Sequence, residues 1–225
     1  MMSTATHETT APILIDGQWR QATVTGTFSA INPASGEDLT ELFPVSAWAD
    51  LDAALDAAAA AFVEMRNMAP QKLAGFLRQY ADAIEANAEA ICRAAALESG
   101  LPFAPRLKDV ELLRTTGQLR QAADAAEDGA WRLPTIDAAT NIRSVLEPLG
   151  PVAVFGPNNF PLAFNGISGG DFAAAIASGC PVIAKAHRSH PTTCRLLAEC
   201  ANDAAKASGM PSGIVQMVYV TSRED

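Results

Sequence analysis

From residue 150 onward the chain follows a rhythm that few folds satisfy. An apolar run over 151–155 ends in the turn Gly156-Pro157-Asn158-Asn159-Phe160-Pro161. A helix of small residues follows over about 167–178, then a Gly179-Cys180-Pro181 break and a second apolar strand, Val182–Lys185. Pro191 opens another helix, which stops at Ser208-Gly209, and a last apolar run covers 214–220. Strand-helix-strand crossovers are almost always right-handed and give parallel strands. The spacing therefore predicts an α/β chain built on a parallel sheet. Ligands of such sheets sit beyond the carboxyl ends of the strands, which is where the polar residues of this stretch fall.

The preceding half reads differently. Residues 1–11 are predicted to be a flexible tail without the apolar core of a leader peptide. Residues 13–20 (ILIDGQWR) predict a hairpin about Asp16-Gly17, extended by 28–32 into a small N-terminal sheet, with 39–45 also extended. Ser46 is a candidate N-cap for a helix over 49–65. Pro70 opens a second helix that runs to about 98, and Pro105 opens a third that ends at Gly129. Residues 133–140 read as a loop and 142–147 as a strand. The division expected is a tail (1–11), a strand and helix layer ending in an oligomerisation strand (12–147), and the start of a nucleotide-binding domain (148–225).

Composition excludes several partners. The 225 residues are 49% hydrophobic and 18% charged, enough apolar mass for a packed core. Net charge is −9 with no run of Lys or Arg, which excludes a phosphate-binding face for nucleic acid. No apolar run approaches membrane-spanning length, so no membrane partner is expected. Cys92, Cys180, Cys194 and Cys200 form no CxxC pair, which predicts a reduced, cytoplasmic protein.

Two places can carry chemistry. Asn159 lies between the two prolines of the first turn. A side-chain amide there can donate to a developing oxyanion, or can hold the loop through hydrogen bonds to backbone, and spacing leaves both open. Lys185, His187, Arg188 and His190 cluster after the second strand, where cations fit a nucleotide ribose or phosphate and also fit a solvated loop. His187 and His190 have no third ligand nearby, so no metal is expected. No GxGxxG follows the first strand, and none of the four cysteines sits in a nucleophile's setting.

These motifs together resemble the aldehyde dehydrogenase superfamily. Its P-x-N-F-P signature is matched by residues 157–161, and its strand-ending lysine motif by Pro181-Val182-Ile183-Ala184-Lys185. The flanks agree at Ile31-Asn32-Pro33, Glu147-Pro148-Leu149-Gly150-Pro151 and Gly209-Met210-Pro211-Ser212-Gly213. The match extends from about residue 12 to 220. The Asn-Phe-Pro and Lys-Ala-His-x-x-His-Pro variants resemble the branch that oxidises 2-oxoglutarate semialdehyde and related NADP-linked fatty aldehyde dehydrogenases.

The resemblance implies a Rossmann-like parallel sheet, incomplete at its C-terminus, as the N-terminal portion of that fold. It implies an aldehyde substrate, NADP or NAD as cofactor with NADP preferred, and homo-oligomers of the full-length protein. Asn159 matches the family's oxyanion-holding asparagine. Phe155, Gly156, Pro157 and Asn158 would lie along the cofactor, with His187 beside them, and Lys185 would bind the adenosine ribose. Arg188 stands where NAD-preferring members tend to carry glutamate, and could pair with a 2′-phosphate. The family's nucleophilic cysteine, general-base glutamate and glycine-rich loop are expected beyond residue 225, so the 225 residues alone are expected to be inactive. A truncated, non-catalytic nucleotide-binding or interaction module is the alternative.

Overall fold

A computed structural model of the chain describes residues 9–222. In chain order its elements are β1 (Ile13–Ile15), β2 (Gln18–Arg20), β3 (Val24–Phe28), β4 (Ile31–Asn32), β5 (Glu37–Asp38) and β6 (Phe43–Ser46). The helices α1 (Trp48–Met65), α2 (Pro70–Ala86) and α3 (Ala88–Ser99) follow, and a π-helical stretch, Phe103–Glu111, leads into α4 (Leu112–Asp128). Then come β7 (Thr135–Asp137), β8 (Ile142–Ser144), β9 (Val152–Phe155), α5 (Gly170–Ala177), β10 (Val182–Lys185), α6 (Pro191–Ala207), β11 (Val215–Val218) and β12 (Val220–Thr221).

The main sheet has the order β2-β1-β11-β10-β9. Strands β9, β10 and β11 are parallel, as the crossover rhythm predicts. Both crossovers step the same way across the sheet, so right-handedness puts α5 and α6 on one face. Helices α2, α3 and α4 form a further layer against them. Tyr80 of α2 ties that layer to the segment before α5: its ring packs on Phe172, and its hydroxyl donates to the Ile167 carbonyl at 3.0 Å.

The hairpin forms at Asp16-Gly17 with φ of 52° and 68°, the left-handed pair a tight two-residue hairpin requires. It does not join a separate N-terminal sheet. β1 pairs antiparallel with β11, Leu14 opposite Met217, and covers one edge of the parallel sheet. β3 pairs instead with β6, and β12 joins them through Val220 and Val45. The expected single strand over 214–220 is thus two strands in two sheets, parted at the buried Tyr219, whose ring packs 5.0 Å from that of Phe43.

Other boundaries shift for local reasons. Ser46 is no N-cap: its backbone pairs with β3 and β12, and α1 starts after Ala47. The expected helix from 70 to 98 breaks at Asn87, whose side chain donates to the Ala83 carbonyl at 2.9 Å. Residues 133–140 are not all loop, because β7 pairs with β8 in an exposed hairpin. Of the expected tail, 1–8 lie outside the described residues. Thr10 and Ala11 are buried, and the Ala11 N–H donates to Leu42 O at 2.8 Å.

Candidate functional site

The carboxyl ends of β9 and β10 lie side by side, with Phe155 directly opposite Lys185. The loops leaving these two strands carry the candidate site residues. After β9 the chain turns through Gly156 and doubles back on itself. A Cβ at Gly156 would stand 2.6 Å from the Phe164 carbonyl oxygen, and one at Gly166 would stand 2.9 Å from Val154 O. Only glycine permits this backbone-on-backbone contact. Gly169, just before α5, is equally tight, with Phe164 Cα at 2.7 Å from a Cβ there. These glycines close the loop against the strand and helix.

Asn159 is exposed, and among the described residues its side-chain amide makes no hydrogen bond. Its backbone is held instead. The Arg106 guanidinium donates to Asn159 O at 3.2 Å and lies over the Phe160 ring at 4.6 Å. Arg106 is in turn paired with Glu111, which is 1% exposed. Glu111 Oε1 accepts the N–H groups of Leu162 and Ala163 at 2.8 and 3.0 Å. The loop-holding asparagine is Asn165: its amide donates to Pro161 O at 2.8 Å, and its oxygen accepts from Ile167 N at 3.1 Å. Glu111, Arg106 and Asn165 escaped sequence reasoning. The Asn165-Gly166 pair is a turn signal that could have pointed to the last, whereas nothing local marks a carboxylate whose backbone partners lie about fifty residues away.

His190 is buried at the start of α6, with Nε2 3.1 Å from Pro157 O. A carbonyl only accepts, so Nε2 carries the proton and Nδ1 accepts from the Cys194 thiol at 3.4 Å. Burial lowers the His190 pKa and favours this neutral form. The N-terminus of α6 is capped by Glu98, which accepts from Thr192 N, Thr193 N and the Thr193 hydroxyl at 2.8, 2.9 and 2.7 Å. Burial raises the Glu98 pKa despite these donors.

Between these two held segments the cations gather. Lys185 is half-buried, its pKa lowered by desolvation and then by Arg188. Neither Lys185 nor Arg188 has a carboxylate within salt-bridge distance among the described residues. The exposed Arg188 guanidinium lies 4.9 Å over the Phe28 ring. His187 accepts the Ser189 N–H at Nδ1 (3.1 Å) and stacks on His190 with ring centroids 5.1 Å apart. Burial, then His190 and Lys185, lower its pKa. A cleft of about 490 Å³ is lined by Asn158, Asn159, Arg188 and Ser189 together with Ile31, Pro33 and Glu98. Phe155, at the end of β9, is 72% exposed. Unpaired cations at the ends of parallel strands, beside an uncommitted amide, form a donor set suited to an anionic dinucleotide.

All four cysteines are buried. Burial pushes Cys92 and Cys200 up to about 11 and Cys194 up to about 12. No group of three His, Cys, Asp or Glu side chains converges as a metal site among the described residues.

The model of the aldehyde dehydrogenase family matches residues 19–224. The chain belongs to the aldehyde dehydrogenase family. It is 40% identical over 208 residues to alpha-ketoglutaric semialdehyde dehydrogenase 2 of Azospirillum brasilense, covering 88% of this chain and 39% of that protein. It is 37% identical over 214 residues to alpha-ketoglutaric semialdehyde dehydrogenase of Acinetobacter baylyi, covering 91% of this chain and 40% of that one. Its fold superposes with a TM-score of 0.81 on a mutant aldehyde dehydrogenase C from Pseudomonas syringae solved with NAD+ and octanal, at 26% identity, covering 94% of this chain and 41% of that one. The chain therefore spans about two fifths of the length of the aldehyde dehydrogenases it matches.

Proposed function

We propose that this chain supplies the cofactor-holding and oxyanion-stabilising part of an NAD(P)-dependent dehydrogenase that oxidises 2-oxoglutarate semialdehyde to its carboxylate. The observation that carries the reading is the Asn159 amide, exposed and, among the described residues, without a hydrogen bond while Arg106 holds its backbone, in a cleft shared with Arg188, which has no carboxylate within salt-bridge distance among those residues. A fixed amide aimed at a carbonyl oxygen stabilises the negative charge that develops there without itself titrating. The printed names of the two relatives support the semialdehyde, and the NAD+-bound neighbour supports the cofactor class.

When bound, the dinucleotide accepts the hydride that leaves the aldehyde carbon. Phe155, Gly156, Pro157 and Asn158 would line its path. Lys185 would hold the adenosine ribose hydroxyls, with His187 beside it and Arg188 at the 2′ position. A guanidinium there favours a 2′-phosphate by a charge-assisted hydrogen bond worth about 1.5–3 kcal/mol, hence NADP over NAD by roughly tenfold or more. None of the four thiols acts as the nucleophile: all are buried, and burial raises the pKa of Cys92, Cys194 and Cys200, which leaves those three little thiolate. The reading includes a cytoplasmic homo-oligomer. No helix among the described residues is long and apolar enough to cross a membrane.

Titration of the 225-residue chain with NADPH and NADH tests the cofactor side. Tighter NADPH binding, reversed or levelled in Arg188→Glu, is expected. Equal affinities for both cofactors in the wild type and the variant would remove the role given to Arg188. Aldehyde-dependent NADPH formation by this chain alone would refute the view that its own cysteines are not nucleophilic.

A further inference from the structure

The two prolines on either side of Asn159 are held by one chain of hydrogen bonds. His190 Nε2–H donates to Pro157 O at 3.1 Å, and the Asn165 amide nitrogen donates to Pro161 O at 2.8 Å. Between these two side chains stands the Cys194 thiol. Its sulfur lies 3.4 Å from His190 Nδ1 and accepts from the Asn165 amide nitrogen at 3.3 Å. The path Pro157–His190–Cys194–Asn165–Pro161 therefore ties both ends of the segment to one sulfur atom on α6. His190, Cys194 and Asn165 are each at most 1% exposed, so no water competes for these bonds.

Valence fixes the direction of every bond in the path. A carbonyl only accepts, so neutral His190 carries its proton on Nε2 and leaves Nδ1 bare. The Asn165 nitrogen has two hydrogens, one for Pro161 O and one for the sulfur. The thiol hydrogen is left for Nδ1. Burial, which pushes the Cys194 pKa up to about 12, keeps that hydrogen in place. Among the described residues no other cysteine bridges two side chains: Cys180 meets the Ser178 hydroxyl alone, and Cys200 donates to Ala83 O. Arg106 holds Asn159 O separately, so the thiol path governs the two ends of the segment and Arg106 its middle.

We propose that Cys194 is a positioning residue: acting through His190 and Asn165, its thiol fixes the Pro157–Pro161 segment and so aims the Asn159 amide. The role in the reaction rests on the reading of Asn159 as donor to the reacting carbonyl. Alanine at 194 would leave His190 Nδ1 and one Asn165 hydrogen buried without partners, a state that favours rearrangement of both side chains. Serine, smaller than cysteine but able to donate and accept as the thiol does, would keep the path.

The test uses nuclear magnetic resonance on the isotopically labelled 225-residue chain. Nitrogen-15 shifts of His190 report which ring nitrogen carries the proton, and amide order parameters report how firmly Asn158, Asn159 and Phe160 are held. In wild type and Cys194→Ser, His190 is protonated at Nε2 and the order parameters stand near about 0.85; in Cys194→Ala the single tautomer is lost and they fall toward about 0.6. Pentanamide, an unreactive carbonyl compound, shifts the Asn159 side-chain amide saturably in wild type and Cys194→Ser, and does so more weakly in Cys194→Ala. A wild-type His190 protonated at Nδ1 overturns the proposal without any variant. So does a Cys194→Ala segment as ordered as the wild type's. Loosening in Cys194→Ala that serine fails to rescue also overturns it, because lost volume and not lost hydrogen bonding is then the cause. Silence of Asn159 toward pentanamide, with tautomer and order as expected, instead overturns the donor reading of Asn159, and the role in the reaction with it. Alanine keeps helix propensity in α6, and the amide spectrum away from the segment checks that the fold is kept.

Discussion

Glu111 is buried with its charge shared among three donors: two backbone N–H groups and the Arg106 guanidinium. Breaking a buried pair from one side leaves the partner uncompensated. In Glu111→Gln the amide oxygen can keep Leu162 and Ala163, but Arg106 loses its counter-charge. A loss of about 2 kcal/mol is expected, read as a lower urea midpoint at unchanged slope. His190 makes the second prediction at this scale. Its folded pKa is depressed below the ordinary 6.5. As pH falls, the unfolded chain takes the proton first. The stability contributed by neutral His190 is therefore complete above about pH 6.5 and drains as pH drops toward the lowered folded value. Glu98, whose pKa burial raises, acts in the opposite sense: the folded chain takes that proton first as pH falls. His190→Gln, which can still donate to Pro157 O, should flatten the acid-side loss between about pH 7 and 5. Unfolding midpoints across that window decide it, and parallel pH profiles would contradict the assignment.

One contact between elements depends on a glycine. Helix α1 packs on the 3-10 turn Ser212–Ile214 that feeds β11. A Cβ at Gly213 would stand 2.2 Å from the Ala57 carbonyl oxygen. Backbone cannot yield as a side-chain tip can, so Gly213→Ala is expected to cost about 3 kcal/mol or more, or to prevent folding. A wild-type melting temperature in that variant would show that α1 can slide. The helical breaks were partly legible: Gly100 and Gly129 end their helices at φ of 71° and 68°, as their positions predict. The break at Asn87 was not, because apolar periodicity runs through it on both sides and the local hydrogen bond to Ala83 leaves no pattern in composition.

For the whole molecule, the exposed apolar surface is the notable property. Ile136 and Ile142 of the β7–β8 hairpin are 69% and 60% exposed, and β9 is an edge strand of the main sheet among the described residues. Open edges and apolar hairpins invite association. The chain is expected to self-associate with rising concentration. The double variant Ile136→Lys/Ile142→Lys should shift sedimentation velocity profiles toward the monomer while leaving the melting temperature unchanged. A wild type that stays monomeric at high concentration would remove this expectation.

By itself the sequence determined the parallel β-α-β-α-β rhythm, the hairpin turn, the two strand ends and the residue types waiting at each. Those are consequences of periodicity, turn chemistry and proline and glycine placement, all of which act over a few residues. The tertiary structure decided what those residues meet. It put β1 on the edge of a sheet whose next strand is some two hundred residues away, and divided the last apolar run between two sheets. It gave the loop-holding work to Asn165 and Glu111, so that the Asn159 amide is left uncommitted. It also set Arg106 beside a buried carboxylate and left Arg114, over the same aromatic ring, without one among the described residues. Such pairings depend on loop closure between distant segments, and no short-range pattern in a chain encodes them.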